Sequence, residues 1–201
     1  MKNSFQAFPL FPRMLPLLLV FLLPSLAQAH PGMPGHTHSF ISGLGHPLTG
    51  LDHICAMIAV GLWAAQCGRR ARWLVPLTFV SIMVIGGILG MGGVGIPYVE
   101  QGIAASVLVL GIFIAAAVRL PLAASAAIVG LFALFHGYAH GAEMSGTVSG
   151  FTYEIGFVTA TASLHLSGLS FGLMAQRINS ARLIRYAGGA IAACGLYFCF
   201  A

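Results

Sequence analysis

The sequence predicts an all-α integral membrane protein, a bundle of six transmembrane helices that follows a cleaved signal peptide. Of its 201 residues 58% are hydrophobic and only 6% are charged, nine Lys or Arg and four Asp or Glu. A soluble domain carries about 25% charged residues, so this chain cannot cover itself with a hydrated surface. The composition excludes a soluble globular protein and a disordered chain. It also excludes a nucleic-acid-binding protein, because the few arginines are scattered and do not form a basic stripe.

Residues 1–29 have the order of parts that a secretory signal peptide requires. A cationic start is followed by an apolar run over residues 15–23 and by Ala27-Gln28-Ala29, which has the A-x-A pattern of a cleavage site. The apolar run is too short to cross about 30 Å of hydrocarbon comfortably. We therefore expect the mature chain to begin at His30, with an uncleaved first helix as the alternative.

Residues 30–201 are expected to form a six-span transmembrane domain. The domain begins with a short histidine-containing segment, residues 30–45, which we place in the periplasm. Six apolar stretches follow, each long enough to cross a bilayer, and only short gaps separate them. Their predicted bounds are 47–67, 73–91, 99–118, 121–139, 151–175 and 186–201.

The arginines predict the orientation of these spans, because they fall only in alternate gaps. Those that follow the signal peptide all belong to one side: Arg69, Arg70, Arg72, Arg119, Arg177, Arg182 and Arg185. Cationic loops stay on the cytoplasmic side of a membrane. We therefore expect a multi-pass protein of the bacterial inner membrane with both ends of the mature chain in the periplasm.

The carboxylates follow the opposite rule and are all expected in the outer half of the protein. They are Asp52, Glu100, Glu143 and Glu154. The functional interpretation is a negatively charged entrance that concentrates cations on the outer side of the membrane. The alternative is that acids are merely excluded from the hydrocarbon and collect at the helix ends.

The first span opens with the motif HPLTGLDH. On a helix, residues seven apart return to within about 20° of each other, so His46 and His53 are expected on one face with Asp52 beside it. An ionisable residue near the centre of a span costs about 2.5–3.5 kcal/mol, and such residues usually face the protein interior and mark a pathway.

The fourth span ends with FHGYAHGAE and the fifth contains two further ionisable residues. His136, His140 and Glu143 have i, i+4, i+7 spacing and share a face if the helix continues that far. Two imidazoles one turn apart are a spacing that metal sites use. Glu154 and His165 are eleven residues apart and also align, and His165 is expected about 21 Å beyond the start of its span.

Three helices that each carry histidine or carboxylate on one face indicate a cation site. Imidazole nitrogens with a few carboxylates suit Ni, Co, Zn or Cu, whereas Mg or Ca would want oxygen ligands alone. One histidine on one helix would be interpreted more simply as a packed, hydrogen-bonded residue. Cys55 could add a sulfur ligand, although a small core residue is the simpler interpretation.

The expected mature N-terminus offers a second place for a metal ion. His30 would carry a free α-amine, and an amine together with an imidazole can chelate an ion such as Ni²⁺ or Cu²⁺. His36 and His38 follow in a Gly- and Pro-rich segment that can bend to share that ion. The alternative is a flexible tail whose histidines do nothing specific.

These residues carry a resemblance to a known family. HPLTGLDH and FHGYAHGAE resemble the two signature motifs of the HupE/UreJ family, and the Ala-His-Pro-Gly processing site and the six-span length also fit. The likeness covers essentially the whole mature chain. Family members are known as nickel or cobalt permeases, often found alongside hydrogenase or urease. The resemblance implies that the metal-handling residues are His46, Asp52, His53, His136, His140 and Glu143.

We therefore expect a permease and not an enzyme, with Ni²⁺ or Co²⁺ as the transported ion, the lipid bilayer as its surroundings and no prosthetic group. The ion would be captured at the negatively charged entrance and would lose its water at the histidine and carboxylate residues. It would then pass His165 on its way to the cytoplasm. No Walker A motif is present, so the chain does not hydrolyse ATP itself. One alternative is an intramembrane metalloenzyme, against which the absence of an H-E-x-x-H motif counts. The other is a membrane protein whose histidines hold a haem.

Overall fold

The computed structural model describes residues 39–144 and 148–201, and these residues form seven α-helices and no β-strand. The expected signal peptide lies outside the described residues, as do His30, His36 and His38. The all-α fold is confirmed. The helices are α1 (Phe40–Thr49), α2 (Leu51–Cys67), α3 (Ala71–Met91), α4 (Val99–Ala115), α5 (Leu122–Ala142), α6 (Val148–Arg177) and α7 (Ala181–Phe200).

The helices have the length and composition of a multi-pass membrane protein. Four of them, α3, α5, α6 and α7, are long and apolar enough to cross a membrane. α1 and α2 pass the same test only together, as a bent pair that is either a broken span or a re-entrant loop, and α4 is a shorter apolar helix of 17 residues. Large apolar side chains are exposed on the outward faces, as a lipid-facing surface requires, for example those of Leu77, Ile155 and Leu196. The number of six spans stays a prediction.

Residues 47–67 do not form one continuous helix, so the prediction of the first span is wrong in this respect. α1 ends at Thr49, Gly50 has extended backbone angles (φ −89°, ψ 117°), and α2 runs at 85° to α1. Pro47 lacks an N–H group near the end of α1, which weakens the last turn of that helix. A side chain at Gly50 would also displace its neighbours, since an added Cβ would lie 2.7 Å from Oδ1 of Asp52 and 2.9 Å from Nδ1 of His53.

Close helix pairs build the bundle. α3 packs mainly on α5, α4 on α7, and both α1 and α2 on α6. Glycines allow these approaches, because an added Cβ at Gly137 of α5 would overlap the carbonyl oxygen of Met83 on α3. An added Cβ at Gly168 of α6 would likewise overlap the carbonyl oxygen of Ile58 on α2. These contacts fix the rotation of α2, α5 and α6, and thereby the direction in which their histidines point.

Candidate metal centre

Four histidine rings meet between α1, α2 and α5, and we call this group the histidine cluster: His46, His53, His136 and His140. The ring centroid of His140 lies 4.5 Å from that of His46 and 4.7 Å from that of His53. The centroids of His53 and His136 are 5.2 Å apart. His46 is half-buried and the other three residues are buried. The two sequence motifs therefore converge in the fold.

The bend at Gly50 changes how the first motif contributes to the cluster. His46 and His53 do not share a face of one helix, so the prediction drawn from their seven-residue spacing is wrong. They stand on two helices at 85° to each other, with ring centroids 6.1 Å apart. Both rings contact that of His140, which a straight helix, with about 10 Å of axial separation between the two residues, would not allow.

Asp52 fixes the orientation of His53. Its Oδ1 accepts the backbone N–H of His53 at 2.8 Å and the ring Nδ1–H of the same residue at 2.9 Å. With the proton on Nδ1, the imidazole presents Nε2 as a lone pair, and a carboxylate in this position makes that nitrogen a stronger metal ligand. The Asp52 side chain is 31% exposed. Its carboxylate is therefore accessible from the protein surface, whereas the imidazole to which it is hydrogen-bonded is buried.

His53 and His140 are joined by a direct contact between their Nε2 atoms, which are 2.7 Å apart. Because Nε2 of His53 is a lone pair, Nε2 of His140 donates the hydrogen bond. A metal ion bound by both nitrogens at about 2.0–2.1 Å would hold them roughly 3.3 Å apart. Within residues 39–144 and 148–201, no three His, Cys, Asp or Glu side chains are already spaced to hold an ion. The cluster is therefore in a hydrogen-bonded form that must open to take a metal.

Two members of the cluster keep a buried ring nitrogen without a hydrogen-bond partner in the described part of the chain. Nδ1 of His136 donates to the carbonyl oxygen of Phe132 at 3.0 Å, which leaves the lone pair of Nε2 unpartnered. Nδ1 of His140 is unpartnered in the same way. A buried polar atom without a hydrogen bond costs about 1–3 kcal/mol. A bound cation would satisfy such a lone pair.

The two glutamates of the fourth and fifth predicted spans occupy different places. α5 ends at Ala142, so Glu143 caps this helix and is exposed. The sequence predicts Glu143 on the histidine face only if the helix reaches it. Its backbone is still helical (φ −77°, ψ −14°) but its side chain is exposed, and its role as a ligand stays a prediction. Glu154 is buried on α6, and its carboxylate lies against α3, since an added Cβ at Gly87 would be 3.1 Å from its Oε1. That Oε1 has no hydrogen-bond partner among the described residues.

His165 lies further along the continuous helix α6 and is 2% exposed. Its Nδ1 donates to the carbonyl oxygen of Met57 on α2 at 2.8 Å. The fully buried ring of Phe79 contacts both His165 and the cluster, with centroid distances of 5.0 Å to His165 and 5.6 Å to His136. The Phe79 ring therefore contacts His165 and the histidine cluster at once.

Sequence reasoning missed the aromatic residues around the cluster. The Phe157 ring centroid is 4.3 Å from that of His140, and the Tyr153 centroid is 6.0 Å from that of His46. Both residues belong to an apolar stretch, and its sequence does not indicate which of its aromatic residues contact the histidine cluster. Their spacing of four residues indicates a shared helix face, which is typical of any packed core.

Comparison with known proteins gives two matches. The family model described as "HupE / UreJ protein" matches residues 18–198. "Protein HupE" of Rhizobium leguminosarum bv. viciae is 44% identical over 180 residues, which are 89% of this chain and 92% of that relative. No solved structure matches the chain.

Proposed function

The chain belongs to the HupE/UreJ family, and on that premise we propose that it carries nickel or cobalt ions across the membrane through the histidine cluster. The family is associated with nickel and cobalt uptake for hydrogenase or urease. The observation that carries the proposal is the convergence of four imidazoles from three helices beside Asp52. Imidazole nitrogens with few carboxylates suit these ions.

The ion would exchange its water for side chains in steps. Half-buried His46 and Asp52 meet it first. It then binds Nε2 of His53, and it binds Nε2 of His140 once the proton on that nitrogen has moved to the unpartnered Nδ1 of the same ring. The lone pair of His136 lies deeper. Movement of the Phe79 ring would open the way to His165. A pathway needs binding weak enough to allow release, and a hydrogen bond that must be broken first lowers the net affinity.

We place the histidine cluster on the periplasmic side of the inner membrane, so that transport is uptake into the cytoplasm. This orientation is supported by three arginines that line a cavity at the other end of the bundle, since cationic ends of spans stay in the cytoplasm. After cleavage of a signal peptide, the segment with His30, His36 and His38 would stand on the same side as the cluster. There it would capture scarce ions.

A serine-hydrolase motif is present in the sequence, but its structural context argues against an enzyme. Residues 168–172, Gly-Leu-Ser-Phe-Gly, have the G-x-S-x-G spacing of a nucleophile that sits on a sharp turn between a strand and a helix. In this protein the segment lies inside α6, with Ser170 exposed on the outer face and Gly168 packed against α2. The segment therefore serves helix packing.

The distances within the cluster also disfavour a haem. A haem with two axial histidines must stand between them, whereas the Nε2 atoms of His53 and His140 are 2.7 Å apart. We expect the purified protein to show no haem absorption band in the visible spectrum.

Uptake of radiolabelled Ni²⁺ and Co²⁺, each competed with the other ion, tests the proposal in cells with and without the gene. We expect gene-dependent accumulation that is lost when Asp52 and His53 are both replaced by alanine, with the protein still present in the membrane. Ser170→Ala, on the outer face of α6, is a control that should transport normally. Equal accumulation with and without the gene, or normal uptake by the double variant, would contradict the proposal.

A further inference from the structure

A cavity of about 280 Å³ lies at the end of the bundle away from the histidine cluster, where α2, α4 and α6 end and α3 and α7 begin. We call it the arginine pocket. Among the residues that line it, none is a histidine, cysteine or carboxylate, so it is not a second metal site. Its polar lining consists of three arginines and two glutamines: Arg72, Arg119, Arg185, Gln66 and Gln176.

The three guanidinium groups share this pocket without a neutralising carboxylate. The protein has four carboxylate side chains, and the lining includes none of them: Asp52, Glu100, Glu143 and Glu154. Guanidinium groups remain protonated in proteins. Arg72 is half-buried and Arg119 and Arg185 are exposed, so water weakens the repulsion between these like charges without removing it. A bound anion would relieve that repulsion.

The walls of the pocket are held in place by hydrogen bonds to helix ends. Nε of Arg185 donates to the carbonyl oxygen of Ala115 at 2.7 Å, at the C-terminus of α4. The amide of Gln176 donates to the carbonyl oxygen of Ala65 at 2.9 Å, near the end of α2. Arg72 has a buried Nε without a hydrogen-bond partner among the described residues. A guanidinium group has five N–H donors, so donors remain for a ligand after these contacts.

Two helix N-termini add to the positive potential. α3 begins at Ala71, directly before Arg72, and α7 begins at Ala181, which itself lines the pocket. Neither helix end has a side-chain cap. The N–H groups of Arg72 and Leu183 already donate to the backbone carbonyl oxygens of Gly68 and Ser180. The two helix ends therefore contribute mainly the positive ends of their dipoles, which favour an anion such as phosphate.

We propose that the arginine pocket binds a phosphate group. The planar guanidinium group of arginine can donate two parallel hydrogen bonds to two oxygens of a phosphate group. The cavity also has room for the group to which that phosphate is attached. The surroundings favour the headgroup of an anionic phospholipid as the source, because Trp73 and Tyr186 follow the pocket residues Arg72 and Arg185 and are 67% and 71% exposed. Exposed tryptophan and tyrosine are typical of the headgroup level of a membrane. A free phosphate compound has the same chemistry and is the second source to test.

Arginines outside the pocket provide matched controls, because a general attraction of cationic loops for anionic lipid would involve every arginine at this end. Arg177 and Arg182 lie in the same turn as the pocket residues Gln176 and Arg185 but do not line the cavity. Arg119 is an exposed pocket residue, so its replacement should leave folding intact, whereas replacement of Arg185 would remove a hydrogen bond to α4.

The test uses purified, delipidated full-length protein in an uncharged detergent. Phosphatidylglycerol, phosphatidylcholine or inorganic phosphate is titrated while thermal unfolding is followed, and native mass spectrometry counts bound lipid. We expect phosphatidylglycerol to raise the melting temperature, with an apparent affinity roughly tenfold weaker in Arg72→Gln and in Arg119→Gln. Arg177→Gln and Arg182→Gln should respond like the unchanged protein, and phosphatidylcholine should have little effect.

The outcomes separate the two sources. If inorganic phosphate stabilises the protein with the same dependence on Arg72 and Arg119 and phosphatidylglycerol does not, the pocket takes a free phosphate compound. If neither probe raises the melting temperature, or if the pocket variants and the control variants respond alike, the proposal is overturned. Nickel and cobalt uptake is measured separately, so failure of this proposal does not decide the transport function.

Discussion

At the scale of single residues, hydrogen bonds decide which nitrogen of each imidazole is open to an ion. Asp52 holds the Nδ1 proton of His53, and loss of such a carboxylate partner lowers metal affinity about 10–100-fold. Asp52→Asn keeps an acceptor oxygen but removes the charge, so we expect uptake at limiting metal to fall about tenfold. Asp52→Ala, which also removes the acceptor, should abolish uptake. Initial uptake rates over a series of nickel and cobalt concentrations measure both effects.

Cys55→Ala is the control for these variants, since Cys55 lies one turn further along α2. It should transport at the unchanged rate with an equal amount of protein in the membrane. If both Asp52 variants also kept unchanged kinetics, Asp52 would not orient a metal ligand.

At the scale of helices, the break at Gly50 brings the two halves of the first motif onto one cluster. An added Cβ at Gly50 would lie within 3 Å of both the Asp52 carboxylate and the His53 ring, although the backbone angles there suit alanine. We therefore expect Gly50→Ala to displace the Asp52–His53 pair and to reduce uptake severalfold while the protein still reaches the membrane. Gly45→Ala on α1, where an added Cβ meets nothing within 4 Å, should leave uptake unchanged. Equal uptake by the two variants would contradict a role for the bend.

The contact between α3 and α5 positions the other half of the cluster. A Cβ at Gly137 would overlap the backbone of Met83, which no side-chain rotation can relieve. We expect Gly137→Ala to force the two helices apart and destabilise the protein by about 1–3 kcal/mol, the usual cost of overpacking. Thermal unfolding in detergent should show a lower melting temperature, together with lost uptake. An added Cβ at Gly189 on α7 would meet nothing within 4 Å, so Gly189→Ala is the control. A similar decrease in its melting temperature would show that the effect is not specific to the contact between α3 and α5.

The helices were largely predictable from sequence, and their mutual arrangement was not. The predicted stretch 99–118 corresponds to α4, and 121–139 corresponds to α5, because a long apolar run has few alternatives to a helix in a membrane. The rotation of each helix depends on contacts with its neighbours. A one-dimensional pattern therefore could not show that Phe79 contacts both His136 and His165, or that the chain turns by 85° after Thr49.

At the scale of the whole molecule, the two ends of the bundle have opposite chemistry. The histidine cluster and Asp52 lie at one end, and the arginine pocket lies at the other, along the same helices. α2 shows this polarity within one helix, since His53 is in its first turn and Gln66 of the pocket is near its last residue. A bilayer with anionic lipid in its cytoplasmic leaflet would hold such a molecule in one orientation.

Reporter fusions test that orientation directly. α7 begins beside the arginine pocket and runs 20 residues to Phe200, about 30 Å at 1.5 Å per residue, so Ala201 lies at the end away from the pocket. A reporter that is active only in the periplasm should therefore be active after Ala201 and inactive after Arg177, where α6 ends at the pocket side. A reporter that is active only in the cytoplasm should give the reverse pattern. The reverse pattern with the periplasmic reporter would place the arginines outside, and the histidine cluster could then not receive metal from the periplasm.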